Sequence, residues 1–347
     1  MRPGWGTSIL WRQLGRMTAL VSPHVERIER VTRTAERVSG IRRTEFALRS
    51  SLVKVHSRKL IQLHDVVPAS DPSAGMPLVR IFDKCAARSN EYRFYRIISG
   101  QQMVGGPISP TLYAAWKAGF GPEHRRYTIL MECLPRRGLS NLSAATAHCL
   151  AERIGDISTI QRGVGFEDKR TGAMSDDLLS SFVTRADEAG EMSDPASRDR
   201  LAAIIEGWKQ VQAIAERELP LIPSHNDLAP RNTCQLGAEG GAPRFVFIDW
   251  EAFGLNYAGA DLHHFLRLAI AEPAYASFFQ ELRRHYLKRM RNLHGFDGLA
   301  TDVGAHTYAL YRSMIRAVKK KRAAELHIAT EIYAKLKPLL DLTSPEK

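Results

Sequence analysis

Three oxygen-bearing side chains stand out: Asp227 and Asn232 in "SHNDLAPRN", and Asp249 in "RFVFIDW". Two carboxylates and an amide oxygen brought to one point suit a hard cation. Mg²⁺ typically takes few protein oxygens and completes its shell with phosphate and water. Phosphoryl transfer divides the labour in this way, with a metal neutralising phosphate charge and a carboxylate orienting the attacking hydroxyl. On that reading Asn232 and Asp249 hold the metal, and Asp227 is the catalytic base.

The elements that must position them are short. "NTCQL" and "RFVFID" are strand-like and flank "GAEGGAP", so they predict a β-hairpin. A turn centred between Gly240 and Gly241 sets Asn232 opposite Asp249, at the open end beside the loop carrying Asp227.

Around this β island the periodicity is helical. "SAATAHCLAERIGDISTIQR" and "RLAAIIEGWKQVQAIAEREL" repeat apolar residues every three to four positions, with Ile204, Trp208, Val211, Ile214 and Ala215 on one face. Four more helical stretches follow the island. Before it, "TEFALRSSLVKVHSRKLIQLHDVV", "PLVRIFDK" and "RRYTILMECLP" predict strands, and "SNEYRFYRIIS" a helix capped by Ser89 or Asn90. The expected organisation is a basic leader over 1–38, a smaller β-rich lobe over 39–135 and a larger helical lobe over 136–345, an α+β arrangement.

The chain has 347 residues, 44% hydrophobic and 25% charged, and no apolar run of the roughly 18 residues that a membrane span needs. Cys85, Cys133, Cys149 and Cys234 lack metal-ligand spacing, which predicts reduced thiols in a cytoplasmic protein. Half of the net charge of +12 lies in the first 50 residues, and "RSMIRAVKKKR" is a second basic block. No base-reading motif accompanies them, so they predict solvated surface rather than a nucleic-acid site.

"HNDLAPRN" resembles the H-x-D-x-x-x-x-N loop of the aminoglycoside phosphotransferase and choline kinase superfamily. "FIDWEAFGLNYAGADLHHF" looks most like the choline/ethanolamine kinase branch. The resemblance implies a protein-kinase-like two-lobed fold, with Asp227 as base and Asn232 and Asp249 as Mg²⁺ ligands. His225 would brace the catalytic loop and Asp261 anchor it. In the N-lobe, Arg80 resembles the strand cation that holds the nucleotide's phosphates, with Lys84 as competitor. Glu91 resembles its helix partner, and Glu132 to Leu134 the hinge whose backbone binds adenine.

The sequence departs from that pattern in two places. A Gly-rich phosphate loop is represented only by Gly40 in "VSGIRRTEFALR", and Ala252 stands where choline kinases carry an aromatic. Glu251, with Tyr257, Tyr308 or Tyr311, would then have to recognise a cationic acceptor. The expectation is an ATP- and Mg²⁺-dependent kinase for the hydroxyl of a choline- or ethanolamine-like amino alcohol. The alternatives are an aminoglycoside, sugar or thiamine-type acceptor, and a catalytically silent nucleotide-binding protein. Oligomeric state is not legible.

Overall fold

The computed structural model describes residues 26–56, 59–73, 75–99, 101, 106–118, 125–134, 138–139, 142–161, 167–169, 175–217, 219–237, 243–321 and 323–343. These fall into two compact units, one within 1–100 and 110–135, the other within 101–109 and 136–347. No helix among the described residues is long and apolar enough to cross a membrane.

The first unit begins with helix α1 (26–39). It continues with strands β1 (Phe46–His56), β2 (Lys59–Pro68) and β3 (Val79–Ala86), then helix α2 (Asn90–Ile98), then β4 (Leu112–Ala118) and β5 (Arg126–Glu132). The strands form one sheet in the order β1-β2-β3-β5-β4, antiparallel at every pairing. β4 was not foreseen. Its sequence LYAAWKA is rich in good helix formers, and pairing with β5 overrides that preference.

The leader expected over 1–38 needs correction for its described part. Val31 and Ala35 of α1 are buried in one core with Phe46, Val66, Ile81 and Leu130. Arg27 reaches the buried carboxylate of Asp83 at 2.8 Å, and the Arg30 guanidinium lies 5.2 Å from the Trp116 ring centroid. Two buried threonines hid this face from the sequence, because Thr32 and Thr34 satisfy their hydroxyls on the carbonyls of Ile28 and Arg30. Gly40, at φ +70, donates its N–H to the Glu36 carbonyl. It ends α1 as a left-handed cap and belongs to no phosphate loop.

Among its described residues the second unit is mainly helical, with four short strands. α3 (Ala144–Ile157), α4 (Asp176–Glu188) and α5 (Pro195–Arg217) come first. Ser143 caps α3 by accepting from the Thr146 N–H at 3.2 Å. All five residues of the predicted α5 face are buried, Trp208 at 1% exposure. β6 (Leu221–Ser224), β7 (Thr233–Leu236), β8 (Arg244–Phe247) and β9 (Gly254–Tyr257) make the island, as the two-stranded sheets β6–β9 and β7–β8. α6 (His263–Ala271), α7 (Ala276–His294), α8 (Gly298–Lys320) and α9 (Ala323–Thr343) complete the unit.

One close approach fixes the island against α8. A Cβ on Gly304 would lie 2.2 Å from the Ala258 carbonyl, and one on Gly259, at φ +93, would lie 2.2 Å from the Thr301 carbonyl. Glycine at both positions lets the turn after β9 sit directly on the helix, which sets the place of Asp261.

Candidate active site

The loop after β6 is held by a buried carboxylate. Asp261 accepts the backbone N–H groups of His225 at 3.0 Å and Asn226 at 2.8 Å. Burial raises its carboxyl from the ordinary 3.8 to about 6 against the pull of those two amides. Asn226 sits at φ 66, a left-handed conformation that asparagine tolerates better than most residues. Its side-chain N–H₂ donates to the carbonyls of Ser224 and Ala252 at 3.0 and 3.1 Å. The Tyr308 hydroxyl donates to its backbone carbonyl at 3.3 Å.

His225 is fully buried, and that burial pushes its imidazole down to about 4. The ring is therefore neutral at pH 7, and the Ile248 carbonyl 3.0 Å from Nε2 assigns the proton to that nitrogen. Nδ1 accepts the Asp227 N–H at 3.4 Å, and the Trp250 ring lies tilted against it, with centroids 4.4 Å apart. His225 thus joins the loop carrying Asp227 to the segment entering Asp249.

Asp227 is a quarter exposed and surrounded by donors. The Asn232 amide donates to its carboxylate at 3.2 Å and to its carbonyl at 2.8 Å. Arg231 donates at 3.1 Å, and His264 Nε2 lies 2.9 Å away on the other oxygen. Burial, then the charges of Arg316 and Arg267, hold the His264 imidazole well below its ordinary value, so it is a neutral donor. Both Asn232 N–H contacts are to Asp227, so the amide oxygen is the Asn232 atom they leave over.

The hairpin register differs by one residue from that expected. Thr233 pairs with Phe247, and the Ile248 N–H donates to the Asn232 carbonyl at 3.0 Å, so Asn232 faces Ile248 rather than Asp249. The expected turn at Gly240 and Gly241 lies outside the described residues. Asp249 takes a left-handed φ of 66 and leaves the strand there. A carboxylate oxygen of Glu251 lies within 4.8 Å of one on Asp249. Asp249 and Glu251 offer hard carboxylate oxygens to one point, the donor type that Mg²⁺ takes.

In the first unit the two candidate cations, Arg80 and Lys84, meet different carboxylates. Arg80 lies opposite Asp65 on β2 and donates to its two oxygens at 2.5 and 2.9 Å. That pairing holds the Asp65 carboxyl below its ordinary value. Lys84, on the same pleat face, is 3% exposed and pairs with the buried Glu91 of α2. At the expected hinge, the Glu132 N–H donates to the Thr111 carbonyl at 2.9 Å and the Cys133 N–H to the Arg80 carbonyl at 3.3 Å. Leu134 follows, half-buried.

Of the aromatic residues expected at an acceptor, Tyr257 is 2% and Tyr308 3% exposed. Both are core residues, with no face to offer a ligand. Tyr311 is half-buried, its ring 6.1 Å from that of Tyr308. Sequence reasoning missed His264, Arg231 and Arg312 as neighbours of Asp227. The adjacent histidines of "DLHHF" were the available signal for the first. The basic block "RSMIRAVKKKR" was the signal for Arg312, which was read as solvated surface but is only 30% exposed.

The family model described as the phosphotransferase enzyme family matches residues 73–299. The chain belongs to that family. Membership makes this phosphotransferase an enzyme and bears out the small-molecule kinase expectation. No curated protein sequence matches the chain. Among solved structures the phosphotransferase is similar to a choline kinase from Cryptosporidium parvum Iowa II, with a TM-score of 0.52 and 16% identity, covering 87% of this chain and 92% of that one. It is also similar to a Plasmodium vivax ethanolamine kinase, with a TM-score of 0.45 and 12% identity over 86% and 83% of the two chains. The aminoglycoside phosphotransferase APH(4)-Ia matches with a TM-score of 0.48 and 13% identity over 86% and 96%. At 16% identity the likeness to the choline kinase speaks for the fold alone, which is the α+β protein-kinase-like one expected.

Proposed function

We propose that this phosphotransferase moves the γ-phosphoryl group of ATP to the hydroxyl of a small molecule, with Mg²⁺. The observation that carries the reading is the arrangement at Asp227. One residue, Asn232, donates both its amide hydrogens to Asp227 and keeps an oxygen for a cation, and Asp249 follows the carbonyl that His225 grips. Asp227 takes the acceptor's hydroxyl proton as the new O–P bond forms and the bond to the β-phosphate oxygen breaks, releasing ADP. His264 and Arg231 hold the carboxylate in place for that step without competing as bases, since one is a neutral donor and the other a fixed cation. Asn232 and Asp249, with Glu251 beside them, are the residues to hold Mg²⁺, which would neutralise phosphate charge. Lys84, fixed by Glu91, is the residue to reach the nucleotide's phosphates, and the backbone of Glu132 to Leu134 to hold adenine.

The amino-alcohol acceptor expected from the sequence finds support only in the Glu251 carboxylate. Tyr257 and Tyr308 are buried in the core, and the charged groups nearest Asp227 are guanidiniums. ADP release from ATP, measured over hydroxyl compounds with and without Mg²⁺, tests the reaction. Asp227→Asn should lower turnover by a factor on the order of 10² or more while nucleotide binding persists. Near-full turnover of that variant would remove Asp227 from the role of base.

A further inference from the structure

Four guanidiniums gather on the side of the second unit where Asp227 lies, and among the described residues two carboxylates, Asp227 and Glu325, form ion pairs with them. Arg231 and Arg312 share Asp227, at 3.1 and 3.7 Å. Arg267 and Arg316 share Glu325, the second at 3.8 Å. The formal balance is 4 − 2 = +2, and His263 and His264 add nothing, because burial holds both neutral.

Arg267 is fully engaged, with Glu325 and with the Ser313 hydroxyl at 2.9 Å. Arg312 is not. Its nearest carboxylate contact is longer than a hydrogen bond, and its buried Nε has no hydrogen-bond partner among the described residues. Its guanidinium stands 6.0 Å over the Tyr308 ring, the residue whose hydroxyl holds the Asn226 carbonyl. Arg231 is 61% exposed. Clustered guanidiniums present planar forks matched to carboxylate or phosphate oxygens. Mutual repulsion makes such a cluster costly unless an anion joins it.

We infer that the acceptor of this phosphotransferase is a hydroxyl compound carrying an anionic group, carboxylate or phosphate, which Arg312 and Arg231 bind while its hydroxyl faces Asp227. This rests on the reading of Asp227 as the base. The acceptor hydroxyl must lie at hydrogen-bond distance from an Asp227 oxygen, so its substituents come within reach of both guanidiniums. Proton transfer to Asp227 then removes one of the two carboxylates, and an anionic substituent compensates that loss where an ammonium group would worsen it. The chemistry that supplies such a substrate is one that leaves a hydroxyl near an acid, as in hydroxy acids or sugar and polyol phosphates.

The test uses the full chain and two readouts. Saturated with Mg²⁺ and AMP-PNP, so that the nucleotide's phosphate site is filled, the protein is titrated with glycerol 3-phosphate, inorganic phosphate, glycerol and choline. In parallel, ADP release is followed with glycerate, glycerol 3-phosphate, glycerol, choline and ethanolamine. Anion binding in the nucleotide-saturated protein, weakened at least about tenfold by Arg312→Gln or Arg231→Gln, is expected. Arg284→Gln, which removes an exposed charge paired to Glu281, should leave it unchanged. In turnover, Arg312→Gln should raise the KM for the anionic acceptor by a similar factor and the KM for ATP by less than about twofold. Preference for choline or ethanolamine, or an effect of Arg312→Gln on the KM for ATP alone, overturns the inference and leaves the phosphotransfer standing. Anion binding without ADP release from any acceptor overturns the phosphotransfer, and the acceptor assignment falls with it.

Discussion

Replacing Asp261 by asparagine isolates the group that holds the catalytic loop. Its carboxyl is raised by burial from 3.8 to about 6, so the folded protein binds this proton more tightly than the unfolded chain. A group with a raised folded value contributes its stability fully below about 3.8, and that contribution is lost as pH climbs through about 6. The full shift of about two units corresponds to about 3 kcal/mol at 1.36 kcal/mol per unit. Part of it has already been lost at pH 4.5, so the change between pH 4.5 and 7.5 should be about 2 kcal/mol. Asparagine does not titrate. Urea unfolding of wild type and Asp261→Asn at the two pH values therefore tests the point, because the other titrations cancel in the difference. Wild type should lose about 2 kcal/mol relative to the variant on going from pH 4.5 to 7.5. The variant should also lose turnover, since an amide N–H₂ cannot accept from both His225 and Asn226. A stability difference that stays constant with pH would refute the raised carboxyl and the dominance of burial over the two amides.

Lys84→Met should raise the KM for ATP, and it should destabilise the first unit by about 3 kcal/mol or more because Glu91 is left buried and unpaired. Arg80→Met should do neither, as Asp65 keeps Arg49 at 3.3 Å; equal nucleotide defects in steady-state kinetics would contradict the assignment. Val31→Asp should unfold the first unit in thermal melts, and Val31→Ala should cost about 1–3 kcal/mol. A melt unchanged by Val31→Asp would return α1 to the status of a detached leader. Asp249→Ala should raise the Mg²⁺ concentration needed for half-maximal ADP release, and an unshifted Mg²⁺ curve would count against it as a ligand.

The catalytic island was legible because its chemistry is compressed into residues 224–261, where side-chain type and spacing carry most of the information. Its register was not, since the letters of a Gly-rich turn do not say which residues pair on either side of it, and the pairing, from Thr233–Phe247 to Leu236–Arg244, runs one residue off. Arg80 and Lys84 stand on one pleat face and differ only in what lies opposite. Asp65 on β2 and Glu91 on α2 are what tell them apart, and both are tertiary neighbours. The face of α1 was hidden because its threonines read as polar but bond to their own helix. The charge around Asp227 was missed for a related reason. The arginines of "RSMIRAVKKKR" look solvated until α8 is folded beside α6 and α9.

The core that takes up Val31 and Ala35 also contains Leu130, about 95 residues further along, a separation that places the pairing among slow, non-local contacts. At ribosomal speeds of about 5–20 residues per second, α1 waits on the order of 5–20 seconds for β5 to be made. A short helix alone in water is only marginally stable. The pairs Arg30–Glu26 and Arg33–Glu29, which add little to the finished protein, support α1 during that interval. They also keep charge beside an apolar stripe whose cover is incomplete until Leu130 arrives. The first unit is thus closed by a strand that comes late, over a helix made long before it.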